Sequence, residues 1–164
     1  MSVTSKNLSV IILAAGNGTR MQSSIPKVLH RLAGNTLLNH VLKSIEGVEA
    51  EEVILVLQKE HQEQIESTLS QDCLIAIQKN QKGTGDAVRS GLEVANQAND
   101  ILVLCGDMPL LSASTLSKFL GLVSKDASAV LTAVFNDPKG YGRIIRDKNN
   151  AIHKIVEESD ATPK

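Results

Sequence analysis

With 164 residues the chain is long enough to bury one hydrophobic core, and it reads as one domain over 1–164. A formal net charge of -1 argues against the basic face that nucleic acid binding needs, and aromatic residues at 2% of the chain offer no base-stacking platform, so no nucleic acid partner is expected. No apolar run approaches membrane-spanning length and the start is short and polar, which predicts a cytoplasmic protein without membrane contact; Cys73 and Cys105, outside any CxxC pattern, predict two reduced, buried thiols.

The first predicted element is an apolar strand over 8–14, carried by Leu8, Val10, Ile11, Ile12 and Leu13. It runs into Ala14, Ala15, Gly16, Asn17, Gly18, Thr19, Arg20 and Met21, with Pro26 and Lys27 shortly after. Small side chains there let consecutive backbone N–H groups approach an anion, and glycine supplies the positive φ angles that turn those amides inward. Arg20 adds a planar fork suited to phosphate, and Lys27 a compact point charge. Pro26 biases Ile25 toward an extended conformation, which holds Lys27 at a set reach. The stretch therefore reads as a triphosphate-binding loop at the carboxyl edge of a parallel sheet. A dinucleotide fingerprint competes poorly, because Met21 stands where its third glycine belongs and the second strand runs into Gln58 instead of an acid. The Gly-Lys-Ser/Thr ending of a P-loop kinase is absent, and a glycine-rich turn without a ligand stays open at this point.

Leu37, Leu38, Val41, Leu42 and Ile45 recur at helical spacing, and strands follow at 53–57 and 74–77. Next comes the polar segment 78–87, which opens a helix marked by Val88, Leu92 and Ala95, with Thr84 as its expected N-cap. Gln78 in that segment carries a donor and an acceptor on one amide, the complement of a uracil edge; a plain polar loop is the competing reading. A strand over 101–105 ends in Gly106, Asp107, Met108 and Pro109. Asp107 is the expected metal anchor, since Mg2+ takes one or two carboxylates plus phosphate oxygens; an Asx turn before Pro109 is the alternative. Leu116, Leu120 and Val123 mark another helix, capped by Ser112 or Ser114, and a last strand is predicted at 129–135. Turns and short strands fill 136–155, and the charges around Glu158 and Asp160 read as a solvated surface. His30, His40, His61 and His153 show no ligand or triad spacing, and no serine or cysteine has a nucleophile's setting. Strands alternating with helices predict an α/β fold, a Rossmann-like, mostly parallel sheet flanked by helices.

Four separated motifs fall in one order: residues 13–21 with Lys27, residues 78–87, residues 106–110, and Gly140, Tyr141, Gly142, Arg143 and Ile144 with Ile155, Val156 and Glu157. With them, residues 8–162 resemble the sugar-nucleotide pyrophosphorylases, most closely the uridylyltransferase domains of bacterial bifunctional N-acetylglucosamine-1-phosphate uridylyltransferases. The resemblance implies the nucleotide-diphospho-sugar transferase fold and a reaction in which a sugar 1-phosphate attacks the α-phosphorus of UTP and pyrophosphate leaves. It implies nucleotide contacts at Leu13, Ala14, Ala15 and Gly16, and uridine contacts at Gln78, Gln81, Gly83 and Thr84. Arg20 and Lys27 would carry the catalytic charge, Asp107 would hold Mg2+, and Gly142 and Glu157 would contact the sugar. Cys105 and Asn17 depart from the aromatic and basic residues common in that family.

The family's domain continues into strands that carry two asparagines, one a sugar contact and one a second magnesium ligand, and an acetyltransferase half follows. The chain is therefore expected to be a partial domain, handicapped in turnover on its own, whose uncovered apolar edge favours homo-oligomers. A cytidylyl- or guanylyltransferase and a non-catalytic nucleotide-binding fragment are the alternative readings.

Overall fold

Four runs of β-branched and apolar residues pair side by side, all parallel: β1 (Leu8–Leu13), β4 (Glu52–Leu57), β5 (Leu74–Ile77) and β6 (Asp100–Cys105), in the order β5-β4-β1-β6. Two short strands, β2 (Arg31–Leu32) and β3 (Asn35–Thr36), form a separate antiparallel pair. The computed structural model describes residues 7–16, 18, 21–124 and 127–161, which divide into two compact units, 1–125 and 126–164.

The central strand β1 reads almost wholly apolar because both of its faces are covered. Alternate residues go to opposite sides of the sheet. Val10 and Ile12 join Leu55, Leu57, Leu102 and Leu104 on one face, while Ile11 joins Ile54, Val56 and Ala76 on the other. Over the first face lies α1 (Leu37–Ile45), whose Leu38, Val41, Leu42 and Ile45 form an i, i+3, i+4, i+7 stripe, beside α4 (Ala113–Leu122) with its buried Leu116. Over the second face lies α3 (Thr84–Leu92). A Cβ on Gly91 of α3 would stand 2.6 Å from Ile11 Cγ2 and 3.1 Å from Val56 Cγ2, so the missing side chain is what lets the helix press against the sheet. A short helix, α2 (Gln62–Glu66), lies between β4 and β5 and buries Ile65.

Thr36 caps α1 by accepting from Asn39 N at 3.0 Å, and Ser112, of the two serines considered, caps α4 by accepting from Thr115 N at 3.1 Å. The expected cap at Thr84 is corrected: Gly83, at φ 98°, is the N-cap of α3 and Thr84 is its first helical residue. The expected strand at 129–135 is also corrected. That segment takes no regular structure, because β-formers make a strand only where a ladder partner satisfies their N–H and C=O groups, and none among the described residues does so. Helix α4 ends at Leu122, one residue before the apolar Val123 of its stripe.

The second unit holds an antiparallel hairpin, β7 (Arg143–Arg146) and β8 (Ile152–Val156), with a register irregularity at Ile145/Arg146. Its turn is tied by Asp147 Oδ1, which accepts from Asn149 N and Ala151 N. Phe135 stacks on Tyr141 at 4.9 Å between ring centroids.

Candidate functional site

In the first unit, the chain leaves β1 and rises through β4 to β5 on one side, then returns to β6 on the other side of β1. The carboxyl ends of β1 and β6 therefore mark a topological switch point, where loops diverge and leave a crevice. A cleft of about 370 Å³ opens there. That is enough for a small ligand. Its floor is Leu13, Ala14, Ala15 and Gly16 from the end of β1; Gln78, Gln81, Gly83 and Thr84 line it from the end of β5 and the start of α3; Lys27, Cys105 and Asp107 complete it. Eight residues predicted to touch nucleotide thus share one wall system with the predicted metal anchor and one of the two predicted catalytic cations. Arg20, the other, lies outside the described residues, as do Asn17 and Thr19.

Each piece is held by local geometry. Gly18 sits at φ 57°, and a Cβ there would stand 2.9 Å from Lys27 Cβ, so the glycine both permits the turn and clears the approach of the lysine. Pro26 precedes a 3-10 turn over Lys27–Leu29 whose Val28 and Leu29 are buried, which anchors the backbone under the Lys27 ammonium. Gln58, buried at the end of β4, donates from Nε2 to the Ala15 carbonyl and fixes the floor of the cleft. Lys27 Nζ donates to Asp107 Oδ2 at 2.5 Å, with both side chains partly exposed.

Gln78 is almost fully buried and its amide is bound in place: Nε2 donates to Asp86 Oδ2 at 3.0 Å and to the Gly83 carbonyl at 3.3 Å. Arg89 donates to the other carboxylate oxygen of Asp86 at 2.5 Å. The Gln78 hydrogen bond, followed by the Arg89 contact, holds the Asp86 carboxyl below the usual carboxylate range despite an opposing effect of burial.

Cys105 corrects an expectation: it is exposed to the cleft. Partial burial of the sulfur and the neighbouring Asp107 carboxylate raise its thiol above the ordinary value, against a smaller opposing pull from Lys27. Cys73 is half-buried, and no disulfide joins the two.

The donor set suits a divalent cation of the hard, oxygen-seeking kind. Asp107 offers one carboxylate, and a cation, the Lys27 ammonium, already stands against it. No group of three or more His, Cys, Asp or Glu side chains among the described residues forms a metal cage. A divalent cation held there would complete its shell with waters and phosphate oxygens.

Gly142 and Glu157 belong to the second unit, where they are neighbours: a Cβ on Gly142 would lie 3.8 Å from Glu157 Oε2. Glu158 is exposed, as expected of a solvated surface, and from there its Oε1 accepts from Gly140 N at 2.6 Å and lies 3.9 Å from Arg143. Three cleft features escaped the sequence: the Gln58 anchor, the Asp86 partner of Gln78, and the solvent access of Cys105. Only Gln58 carried a signal, a polar residue closing an apolar strand.

The chain is 42% identical over 168 residues to the bifunctional protein GlmU of Mycolicibacterium vanbaalenii and 44% identical over 157 residues to that of Buchnera aphidicola subsp. Schizaphis graminum. Those alignments take in 96% and 95% of this chain but 34% of each relative, so the chain spans about a third of the length of the curated relatives it matches. Among solved structures, the 4-diphosphocytidyl-2C-methyl-D-erythritolsynthase of Anaerococcus prevotii superposes with a TM-score of 0.65 at 21% identity, covering 93% of this chain and 63% of that one. The Mycobacterium tuberculosis Rv0371C complex with manganese gives a TM-score of 0.58 at 19% identity, covering 71% and 59%. These two share the fold, a Rossmann-like parallel sheet flanked by helices. The model of the MobA-like NTP transferase domain matches residues 10–153, from the strand that feeds the cleft to the hairpin of the second unit, and the chain belongs to that family.

Proposed function

We propose that the chain is the nucleotidyltransferase part of an enzyme that makes UDP-N-acetylglucosamine and pyrophosphate from UTP and N-acetylglucosamine 1-phosphate, a sugar nucleotide used in peptidoglycan synthesis. The observation that carries this reading is the convergence, at one switch point, of small-residue loop, glutamine segment, lysine and aspartate. Identity of 42% and 44% to GlmU proteins across nearly the whole chain supports the choice of uridine and amino sugar.

The chemistry needs no protein nucleophile. A phosphate oxygen of the sugar 1-phosphate attacks the α-phosphorus in line, and the protein positions the two substrates and neutralises charge. The amides following Leu13 and the Arg20 guanidinium hold the departing phosphates, while Gln78, Gln81, Gly83 and Thr84 seat the uridine. Lys27, released from Asp107, turns its ammonium to the reacting phosphates. Mg2+ bound at Asp107 and the phosphate oxygens would supply the remaining neutralisation of charge. Gly142 and Glu157 contact the sugar through a backbone amide and a carboxylate. The protein works in the cytoplasm, without membrane or nucleic acid, and assembles as a homo-oligomer. Among its described residues no helix is long and apolar enough to cross a membrane.

Calorimetric titration of the chain with UTP, CTP, GTP and dTTP, with and without Mg2+, tests the reading. UTP binding that strengthens with Mg2+ in the wild type and loses that gain in Asp107→Ala is the expected result; tighter binding of CTP or GTP would assign the cleft to another base. Pyrophosphate release with N-acetylglucosamine 1-phosphate then separates an active transferase from a nucleotide-binding fragment.

A further inference from the structure

The Gln78 amide cannot be turned over in this cleft. Its nitrogen faces two groups that only accept, the Asp86 carboxylate at 3.0 Å and the Gly83 carbonyl at 3.3 Å, and a flipped amide would set oxygen against oxygen at both. Nor can the side chain swing into solvent, since Gln78 is 8% exposed. With both amide hydrogens spent, the atom Gln78 has left to meet a ligand is Oε1, an acceptor, and Gln78 lines the cleft.

We propose that Asp86 is the positioning residue that sets the base selectivity of the cleft: it commits Gln78 to present Oε1, so a base with a ring N–H donor facing it is accepted and one with a bare ring nitrogen there is refused. Uracil carries that donor at N3, and cytosine carries a lone pair in its place. The inference rests on the uridine reading above. It assigns the discrimination within that reading to a residue on the first turn of α3, behind the base contact and not part of it.

Arg89 makes the idea sharply testable. It donates to Asp86 Oδ1 at 2.5 Å and accepts nothing, so in Asp86→Asn the oxygen of the introduced amide must stay on the arginine and its NH2 group must face Gln78. Gln78 then turns its oxygen to that NH2 group and its own nitrogen to the ligand. The neutral asparagine keeps the shape of aspartate, so packing around Ala87 is undisturbed.

The experiment measures dissociation constants of UTP, CTP and inorganic tripolyphosphate for the wild type, Asp86→Asn and the double variant Asp86→Asn with Arg89→Ala. We expect the wild type to favour UTP. In Asp86→Asn the UTP preference over CTP should fall by about tenfold, one hydrogen bond's worth, with CTP tightening as UTP weakens. Tripolyphosphate should bind all three proteins alike, which shows the cleft to be folded. Removing Arg89 in the double variant frees the introduced amide to turn its oxygen back to Gln78, and the preference should recover. An unchanged preference in Asp86→Asn, or equal weakening of both nucleotides, overturns the positioning role and leaves the uridine reading standing. A wild type with no preference for UTP overturns the uridine reading, and the proposal with it. The Gln78 side-chain NH2 signals give a check without nucleotide: slow hydrogen exchange in the wild type and fast exchange in Asp86→Asn.

Discussion

Lys27 and Asp107 face each other at 2.5 Å, yet both are partly open to water, so their attraction is worth only ~0.2–1 kcal/mol and a ligand can part them. In the proposed reaction a cation at Asp107 and a phosphate at Lys27 would each take one member of the pair. Lys27→Met keeps the length of the side chain and removes its charge. Mn2+ binding to the nucleotide-free protein should then tighten, by up to about fivefold, because the competing ammonium is gone. Turnover with both substrates should fall on the order of 10²–10³-fold, since charge at the reacting phosphates is lost. Calorimetry with Mn2+ and a pyrophosphate-release assay check the two halves, and weaker Mn2+ binding would show that Lys27 does not compete for that carboxylate. Cys73 offers a pH-dependent readout. Burial, then Asp72, pushes its thiol up to about 11 from 9.0, so at pH 8 its reactive thiolate is about a hundredfold scarcer than that of an ordinary cysteine. Because the folded value lies above the unfolded one, the neutral thiol's contribution to stability is complete below pH 9 and drains away as pH rises through about 11. Iodoacetamide labelling of Cys73 should therefore keep accelerating about tenfold per pH unit up to about pH 11, whereas an ordinary thiol levels off near 9, and labelling at pH 8 as fast as that of a free thiol would contradict the half-buried placement.

Among the elements, α3 is the one whose position decides the cleft, because its first turn carries Thr84 and Asp86 just after the Gly83 cap, while its penultimate residue, Gly91, rests on the sheet. Adding one methyl by Gly91→Ala sets a Cβ 2.6 Å from Ile11 Cγ2, inside a fully buried strand that has no room to give. Overpacking of this kind costs ~1–3 kcal/mol and outweighs the helix-propensity gain of ~1 kcal/mol from glycine to alanine. Urea unfolding of Gly91→Ala should show a lower midpoint at unchanged slope, and a stabilised variant would mean that α3 does not lie this close. The helical stripes of α1 and α4 and the four parallel strands were legible in the sequence because apolar periodicity is a local property. The strand at 129–135 was not, because Val130, Leu131 and Val134 report β-propensity but not the presence of a partner. Gly83 as cap, β2, β3 and the short α2 were equally hidden, since each is set by turn geometry more than by pattern.

At the scale of the molecule, the cleft is assembled from segments around 13–16, 27, 78–84 and 105–107, which the parallel sheet gathers at one edge. Those segments were legible one by one, as small residues, a glutamine loop and a strand-end aspartate, because each has its own chemistry. Their tertiary supports were not: Gln58 reaches Ala15 and Asp86 reaches Gln78 only once the sheet is built. An unfolded chain holds no such cleft, so a ligand that fits it binds the native state alone and stabilises it by mass action. UTP with Mg2+ at a hundred times its dissociation constant should therefore add ~2.7 kcal/mol, which for a domain of this size raises the thermal midpoint by about 5–10 °C. Inorganic tripolyphosphate, compared at the same concentration, should engage only the residues proposed to hold phosphate, the Leu13–Gly16 floor with Arg20 and Lys27, so its shift should be smaller by the part owed to Gln78 and its neighbours. Equal shifts for the two ligands would leave the phosphate loop in place and remove the glutamine segment from nucleotide recognition. A larger shift for UTP that Gln78→Ala reduces to the tripolyphosphate value would tie the base to that side chain, because the substitution leaves every phosphate contact untouched.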